Sequence, residues 1–230
     1  MQIFTDSFIY SPPQKPYLKI IYADSEIVVV DKPSGLLAVP GRLPEHKDSV
    51  ISRLKTLYAS ATAVHRLDMD TSGLMVVALS PVAVSGLGRA FEQRKVKKYY
   101  IAAVAGIPPR RGRIIFPIRA DLDHRPLQTV DYMMGKPSLT EFERVDGYNE
   151  DSRSKNICSS YVKLFPFTGR SHQLRLHLAT IGHPILGDRF YADTKVADSS
   201  HRLCLHATYL AFKSSPDFLP VKATSCHDPA

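Results

Sequence analysis

The run Leu74–Leu79 (LMVVAL) constrains the fold more than any other stretch of the chain. It is uninterruptedly apolar, with valines at its centre, and far too short to span a membrane. A run of this kind reads as a strand covered on both faces, so other elements have to pack above and below it. Directly before it, the stretch from His65 to Ser72 crowds a histidine, an arginine, two aspartates, a threonine and a serine into eight residues. A polar loop fixed to a rigid buried strand is a common way to hold catalytic groups.

The rest of the chain reads as one mixed α+β unit with no internal repeat. Residues 1–18, with Pro12, Pro13 and Pro16, form an extended arm; 19–215 form the folded domain; 216–230 are a C-terminal tail. Glu26–Arg42 (EIVVVDKPSGLLAVPGR) is a buried strand followed by a Pro/Gly turn. Ser80 and Pro81 are placed as N-cap and first residue of a helix with Val84, Leu87 and Phe91 on its apolar stripe, weakened by Gly86 and Gly88. KKYYIAAVAG is the next strand, and runs near 114–118, 127–133, 138–145 and 158–165 suit further strands, largely antiparallel. The polar insert Asp146–Asn156 reads as a mobile hairpin loop. SHQLRLHLATIGHP is the clearest helix: Ser171 can cap it, Leu174, Leu178 and Ile181 line one face, and Gly182 with Pro184 end it. On it His172 and Arg175, three residues apart, share a face.

Thirty Lys+Arg against twenty-two Asp+Glu give a formal charge of +8, which favours a polyanionic partner. Cys158, Cys204 and Cys226 are an odd, scattered set that implies no disulfide framework. The N-terminus lacks a basic region followed by an apolar one and no run approaches the length of a membrane span, so the expectation is a cytoplasmic protein with no membrane contact; a monomer is expected.

Several constellations carry possible chemistry. Asp68 and Asp70, two apart in an extended segment, project from one face roughly 6.5–7 Å apart. That separation suits an inverting carbohydrate hydrolase; equally, the pair can be an Asp-rich turn bonding its own backbone. DTSG is not the aspartic-protease triplet, because Ser72 intervenes and no second copy exists. His172 and His177 lie five apart, which does not put two ligands on one helical face. His201, Cys204, His206, Cys226 and His227 match no familiar zinc spacing, and the histidines of HRLCLHA read as strand-surface residues. Phosphate-loop, dinucleotide and zincin motifs are missing. Basic residues meet aromatics in RAFEQRKVKKYY, where Arg89, Arg94, Lys95, Lys97 and Lys98 precede Tyr99 and Tyr100. PPRRGR adds Arg110, Arg111 and Arg113, and TGRSHQLR adds Arg170 and Arg175. Cations pair with phosphates while unstacked bases lie on aromatic rings, so the pattern points to RNA rather than DNA.

Four of these segments, in order, resemble the RluA-type pseudouridine synthases. HRLDMDTSGL (His65–Leu74) is similar to the family's HRLDxxTSG signature, DKPSGLLAVPG to its first motif, and KYYIA to its Lys-x-Tyr-x-Ala pattern. GRSHQLRLHLATIGHPILGDRFYA (Gly169–Ala192) resembles its Gly-Arg-x-His-Gln-Leu-Arg helix and the segment after it, and the likeness runs from about Ile20 to Phe212. The resemblance implies an α+β pseudouridine-synthase-like domain: a central, mainly antiparallel mixed sheet with flanking helices and loops around a basic cleft, and no S4 domain. It implies Asp68 as nucleophile, Tyr100 stacked on the target base, Arg175 paired with the Asp68 carboxylate, and Arg66 entering the RNA. Arg170, His172, Arg94, Lys95, Lys97 and Lys98 are expected on the RNA-binding surface. It further implies 23S rRNA and a tRNA anticodon stem-loop as substrates, with neither cofactor nor metal. Asp70 departs from the pattern, which usually has a small or variable residue there. Against this stand two alternatives, a hydrolase using Asp68 with Asp70 and a non-catalytic RNA-binding module.

Overall fold

In a computed structural model, residues 9–145, 157–212 and 221–224 are described. Residues 9–18 of the arm carry no regular secondary structure. Strand β1 (Lys19–Ala23) then pairs antiparallel with β2 (Ile27–Lys32), and the turn between them closes on Asp24, whose Oδ1 accepts from the Glu26 and Ile27 amides, each at 2.8 Å. Helix α1 (Val50–Lys55) begins at a reciprocal capping box between Ser49 and Ser52. Short β3 (Thr62–Ala63) leads into β4 (Ser72–Ala78), which is buried at all seven positions. Helix α2 (Pro81–Glu92) starts where the sequence places it: the Ser80 hydroxyl accepts from the Ala83 amide and Pro81 opens the first turn.

The chain continues through β5 (Lys97–Ala105), β6 (Arg111–Ile114), β7 (Ile118–Ala120), β8 (Gln128–Val130), β9 (Thr140–Arg144) and β10 (Ser159–Pro166). The single run expected near 114–118 is split between β6 and β7; Pro117, which has no N–H for a ladder, lies in the break. Helix α3 (Gln173–Thr180), the short α4 (Thr194–Ala197), β11 (Leu205–Phe212) and β12 (Val221–Thr224) complete the described chain. Residues 216–230 are therefore not simply a tail: Val221–Thr224 joins the sheet antiparallel to β11. The insert 146–156 lies outside the described residues.

Among the described residues one sheet runs β1-β2-β4-β11-β5-β10-β9-β6, with β12 added to β11 and β3 to β4; β7 and β8 form a separate hairpin. Every pairing is antiparallel except β4 with β11. That parallel contact brings two backbones so close that a Cβ on Gly73 (φ +110°) would overlap the main chain of Ala207. Val28, Val30, Met75 and Val77 pack with Val50 and Leu54 of α1, whereas Ile27, Val29, Leu74 and Val76 pack with Ala83 and Leu87 of α2. So β2 and β4 are covered on both faces, as the apolar run predicts. A third cluster joins Ala102, Val162 and Leu164 of the sheet to Leu174 and Leu178 of α3. Tyr100 packs against the first and third of these cores, at the seam where the polar loop emerges.

Candidate active site

Asp68 and Asp70 are half-buried in the loop between β3 and β4. The loop is held from below by Lys32, whose side chain is wholly buried. Its Nζ donates to the carbonyls of Pro33 (2.9 Å), Leu36 (2.7 Å) and Met69 (2.7 Å). The Gly35 amide also donates to Met69 O (3.0 Å), and the Ser34 hydroxyl to Asp70 O (2.7 Å). Both carbonyls that follow Asp68 are thus fixed by one turn, which Gly35 (φ +82°) makes possible. Burial pushes the Lys32 ammonium down to about 7, against the pull of the Asp70 and Asp68 charges. On the other side of Asp68, His65 is an anchor: Nε2 accepts the Val76 amide at 3.0 Å and the ring stacks on Phe91. Burial, helped by the Lys98 charge, holds His65 down at about 3, so it is neutral and fixed at any ordinary pH.

Tyr100 projects from β5 into the same region. Burial, reinforced by the Asp68 carboxylate, raises its hydroxyl well above the usual tyrosine range. Arg175 is buried on α3, and here the sequence-based expectation fails. Its guanidinium is not paired with Asp68 but with Asp188, Nε–Oδ2 2.8 Å and Nη2–Oδ1 2.6 Å. Asp188 Oδ1 also accepts the Phe190 amide at 2.9 Å, and the guanidinium lies over the Phe190 ring at 4.8 Å. A buried arginine needs such a satisfied, two-pronged partner. Asp68 acts on Arg175 only through its charge.

Ser171 does not cap α3. His172 occupies that position in the left-handed region (φ 52°, ψ 17°), unusual for a side chain of this size. The entry is closed instead by Gln173, whose Oε1 accepts from the Arg170 amide (3.0 Å) and the Thr168 hydroxyl (2.7 Å). The His172 Nδ1 is 2.8 Å from the Tyr191 hydroxyl, which accepts the Gln128 amide at 2.9 Å. Burial lowers His172, while the carboxylates of Asp68, Asp188 and Asp70 work the other way. Tyr191 is pushed up to about 12, mainly by burial.

The expected RNA-facing cations divide into two groups. Arg66 is exposed and its Nη2 reaches Ser171 Oγ at 3.3 Å, joining the loop to the start of α3; Arg170 is exposed and donates to Pro137 O. His172 is within reach of the Asp68 charge, and Arg66 stands two residues from Asp68 in the chain. Arg94, Lys95 and Lys97 are exposed where α2 passes into β5, whereas Lys98 is half-buried, its ammonium lowered by burial. Arg111 and Arg113 are engaged across β6 and β9 by Glu143 (2.6 Å) and Glu141 (3.2 Å). His206 is not a surface residue: it is buried, with Nδ1 2.8 Å from the Ser72 hydroxyl. Among the described residues no three His, Cys, Asp or Glu side chains gather as a metal site, and no helix is long and apolar enough to cross a membrane.

Lys32, Asp188 and Tyr191 were given no role by sequence reasoning. The signal for Lys32 was available: a lysine closing an apolar strand has to be hydrogen-bonded or it cannot be buried. Asp188 and Tyr191 lie in the GDRFYA segment, but nothing local says which cation or ring they meet.

A profile of the RNA pseudouridylate synthase family matches residues 26–180. The dual-specificity RNA pseudouridine synthase RluA of Escherichia coli strain K12 is 52% identical over 202 residues, spanning 87% of this chain and 89% of its own. The protein of the same name from Pasteurella multocida is 47% identical over 205 residues, spanning 89% and 90%. Among solved structures, human RNA pseudouridylate synthase domain containing 1 superposes with a TM-score of 0.76 at 30% identity, covering 94% of this chain and 86% of its own. No support appears for a carbohydrate hydrolase or an inactive RNA-binding module. With a half-buried carboxylate near a half-buried tyrosine and a fold shared across these enzymes, the chain belongs to the RNA pseudouridylate synthase family and is an RluA-type pseudouridine synthase, an isomerase acting on RNA.

Proposed function

We propose that this enzyme converts a uridine to pseudouridine in 23S rRNA and in a tRNA anticodon stem-loop, with Asp68 as nucleophile. The two-substrate reading is supported by the dual-specificity name of relatives about half identical to this chain over nearly its full length. The observation that carries the assignment of Asp68 is its setting. The carboxylate sits on a loop whose next two carbonyls are locked by Lys32, Ser34 and Gly35, and it feels both the Tyr100 hydroxyl and the buried Arg175 cation.

The reaction breaks the C1′–N1 bond, turns the freed uracil, and joins C5 to C1′, after which C5 gives up its proton and N1 gains one. No atom is gained or lost and no redox change occurs. An ionised carboxylate can form and release the covalent bond that the exchange needs, and the proton moves from C5 to N1 once the new bond is made. Arg175, held by Asp188, keeps a cation within reach of the Asp68 charge without occupying its oxygens. The Tyr100 ring lies where a flipped base can stack, and its hydroxyl remains protonated and able to donate. Arg66 enters the RNA beside the flipped nucleotide, offsetting an unstacking cost of a few kcal/mol. Arg170, His172, Arg94, Lys95 and Lys97 meet phosphates, with Lys98 contributing from a more buried position. The enzyme acts as a cytoplasmic monomer on this reading.

The test is single-turnover conversion of a 23S rRNA fragment and an anticodon stem-loop by Asp68→Asn and Asp70→Asn. Asp68→Asn removes the anionic nucleophile and keeps the shape, so conversion should vanish while RNA affinity stays within about threefold, a change of under 1 kcal/mol. Asp70→Asn should retain substantial activity on both RNAs. Equal loss in the two variants would overturn the roles assigned, and conversion of only one RNA would overturn the dual specificity.

A further inference from the structure

We propose that the N-terminal arm is a positioning element for the nucleophile, acting through the Tyr10 hydroxyl and the Arg53 guanidinium. The inference rests on Asp68 as nucleophile. Its starting point is the turn Lys32–Leu37, which fixes Met69 O and Asp70 O and is itself fixed from outside by the arm. The Tyr10 hydroxyl accepts the Leu37 amide at 3.0 Å and donates to Asp48 O at 2.8 Å. One oxygen therefore ties the arm, the turn and the entry to α1 together.

Arg53 makes the second tie. It is 2% exposed and forms a two-pronged pair with Asp48, Nε–Oδ1 2.8 Å and Nη2–Oδ2 2.7 Å. Its remaining donors go to the arm: Nη2 to Pro13 O at 2.9 Å and Nη1 to Tyr17 O, with the guanidinium 4.4 Å from the centre of the Tyr17 ring. Pro13 is thereby pressed toward the turn, its Cδ 3.6 Å from where a Cβ on Gly35 would stand. Gly35 is the residue whose amide donates to Met69 O. Two routes thus lead from the arm to the carbonyls that follow Asp68: Tyr10 holds Leu37, next to Leu36, whose carbonyl shares the Lys32 ammonium with Met69 O, and Arg53 holds Pro13 beside Gly35.

These contacts are polar and directional and lie outside the three apolar cores, which is why they bear on alignment more than on folding. Alignment matters strongly, since a displacement of about 1 Å at a reacting group can cost about 100-fold in rate. Tyr10→Phe removes one oxygen and leaves the ring packed. The experiment measures single-turnover rate constants on a stem-loop RNA with enzyme saturating and in excess. Under that condition a lower folded fraction leaves the rate constant unchanged and poor alignment lowers it. The expected result for Tyr10→Phe is a fall of about tenfold, with RNA Kd within about twofold and Tm lower by no more than about 4 °C. Arg53→Lys keeps a cation beside Asp48 but cannot fork to Pro13 and Tyr17, so its rate constant should fall as well. Wild-type rate constants in both folded variants would overturn the inference. Asp68→Asn, run alongside, reports on the nucleophile separately: conversion by that variant overturns the assignment of Asp68, whatever Tyr10→Phe does.

Discussion

Replacing Lys32 with Met keeps the length of the side chain while removing its charge and its three hydrogen bonds. Met69 O retains the Gly35 amide, but Pro33 O and Leu36 O are deprived of their lysine donor. Each buried acceptor left without a partner costs about 1–3 kcal/mol, so the gross loss is about 2–6 kcal/mol. Against it stands the cost of burying the ammonium, which Met abolishes. The drop of Lys32 from 10.5 to about 7 sets that cost at about 5 kcal/mol. The two effects nearly cancel at low pH and separate as pH rises.

The direction follows from linkage. Below about pH 7 both folded and unfolded chains hold the proton, and the folded state bears the whole burial cost. Between about 7 and 10.5 the folded state sheds the proton while the unfolded state keeps it, so wild-type stability gains with pH relative to Lys32→Met. From pH 6 to pH 9 the stability gap should widen by about 2.5 kcal/mol. The assay is urea unfolding of both proteins at several pH values, read as the difference between them so that every other titrating group cancels. A gap that is flat or narrows with pH would refute a depressed Lys32. Saturating single-turnover rates on the same samples test the positional role: with the loop released, the variant should be slower by about 100-fold, and an unchanged rate would show that Lys32 supports the fold alone.

RNA affinity should fall steeply with salt, and replacing Arg94, Lys95 and Lys97 with Gln should flatten the log–log slope by about 0.7–0.9 for each phosphate that is no longer neutralised; an unchanged slope places the footprint elsewhere. The pair Arg175–Asp188 should behave as a unit. Arg175→Met and Asp188→Asn each leave a buried partner unmatched and should cost about 3–5 kcal/mol in urea unfolding, while the double variant costs much less than their sum; simple additivity would refute the pairing.

Elements whose signals are local were legible in the sequence. Strand β4 is a continuous apolar run, and α2 announces itself through Ser80 and Pro81. Helix α1 is not legible because its six residues make fewer than two turns, too brief for Val50, Ile51 and Leu54 to show a helical period. Strand β12 is four residues, VKAT, that become a strand only because β11 offers an open edge. The α3 entry failed differently. Ser171 is the better cap by type, but the Gln173 side chain reaches back to the Arg170 amide, and the Ser171 hydroxyl is left for Arg66. That exchange depends on a loop more than a hundred residues away in sequence, beyond any local rule.

The partner of Arg175 shows where motif reasoning stops and burial takes over. Two aspartates were available to it, Asp68 from the signature loop and Asp188 from the segment after the helix. Arg175 and Asp188 are 2% and 1% exposed, so each needs the other to offset its desolvation. Asp188 is further suited by two backbone amides, Phe190 and Tyr191, that fill its remaining acceptor sites. Asp68, which we propose as the nucleophile, is half-buried, and the Arg175 fork to Asp188 leaves its oxygens unclasped. The fork that the resemblance assigns to Asp68 is therefore made with Asp188, where burial and two backbone amides fit it.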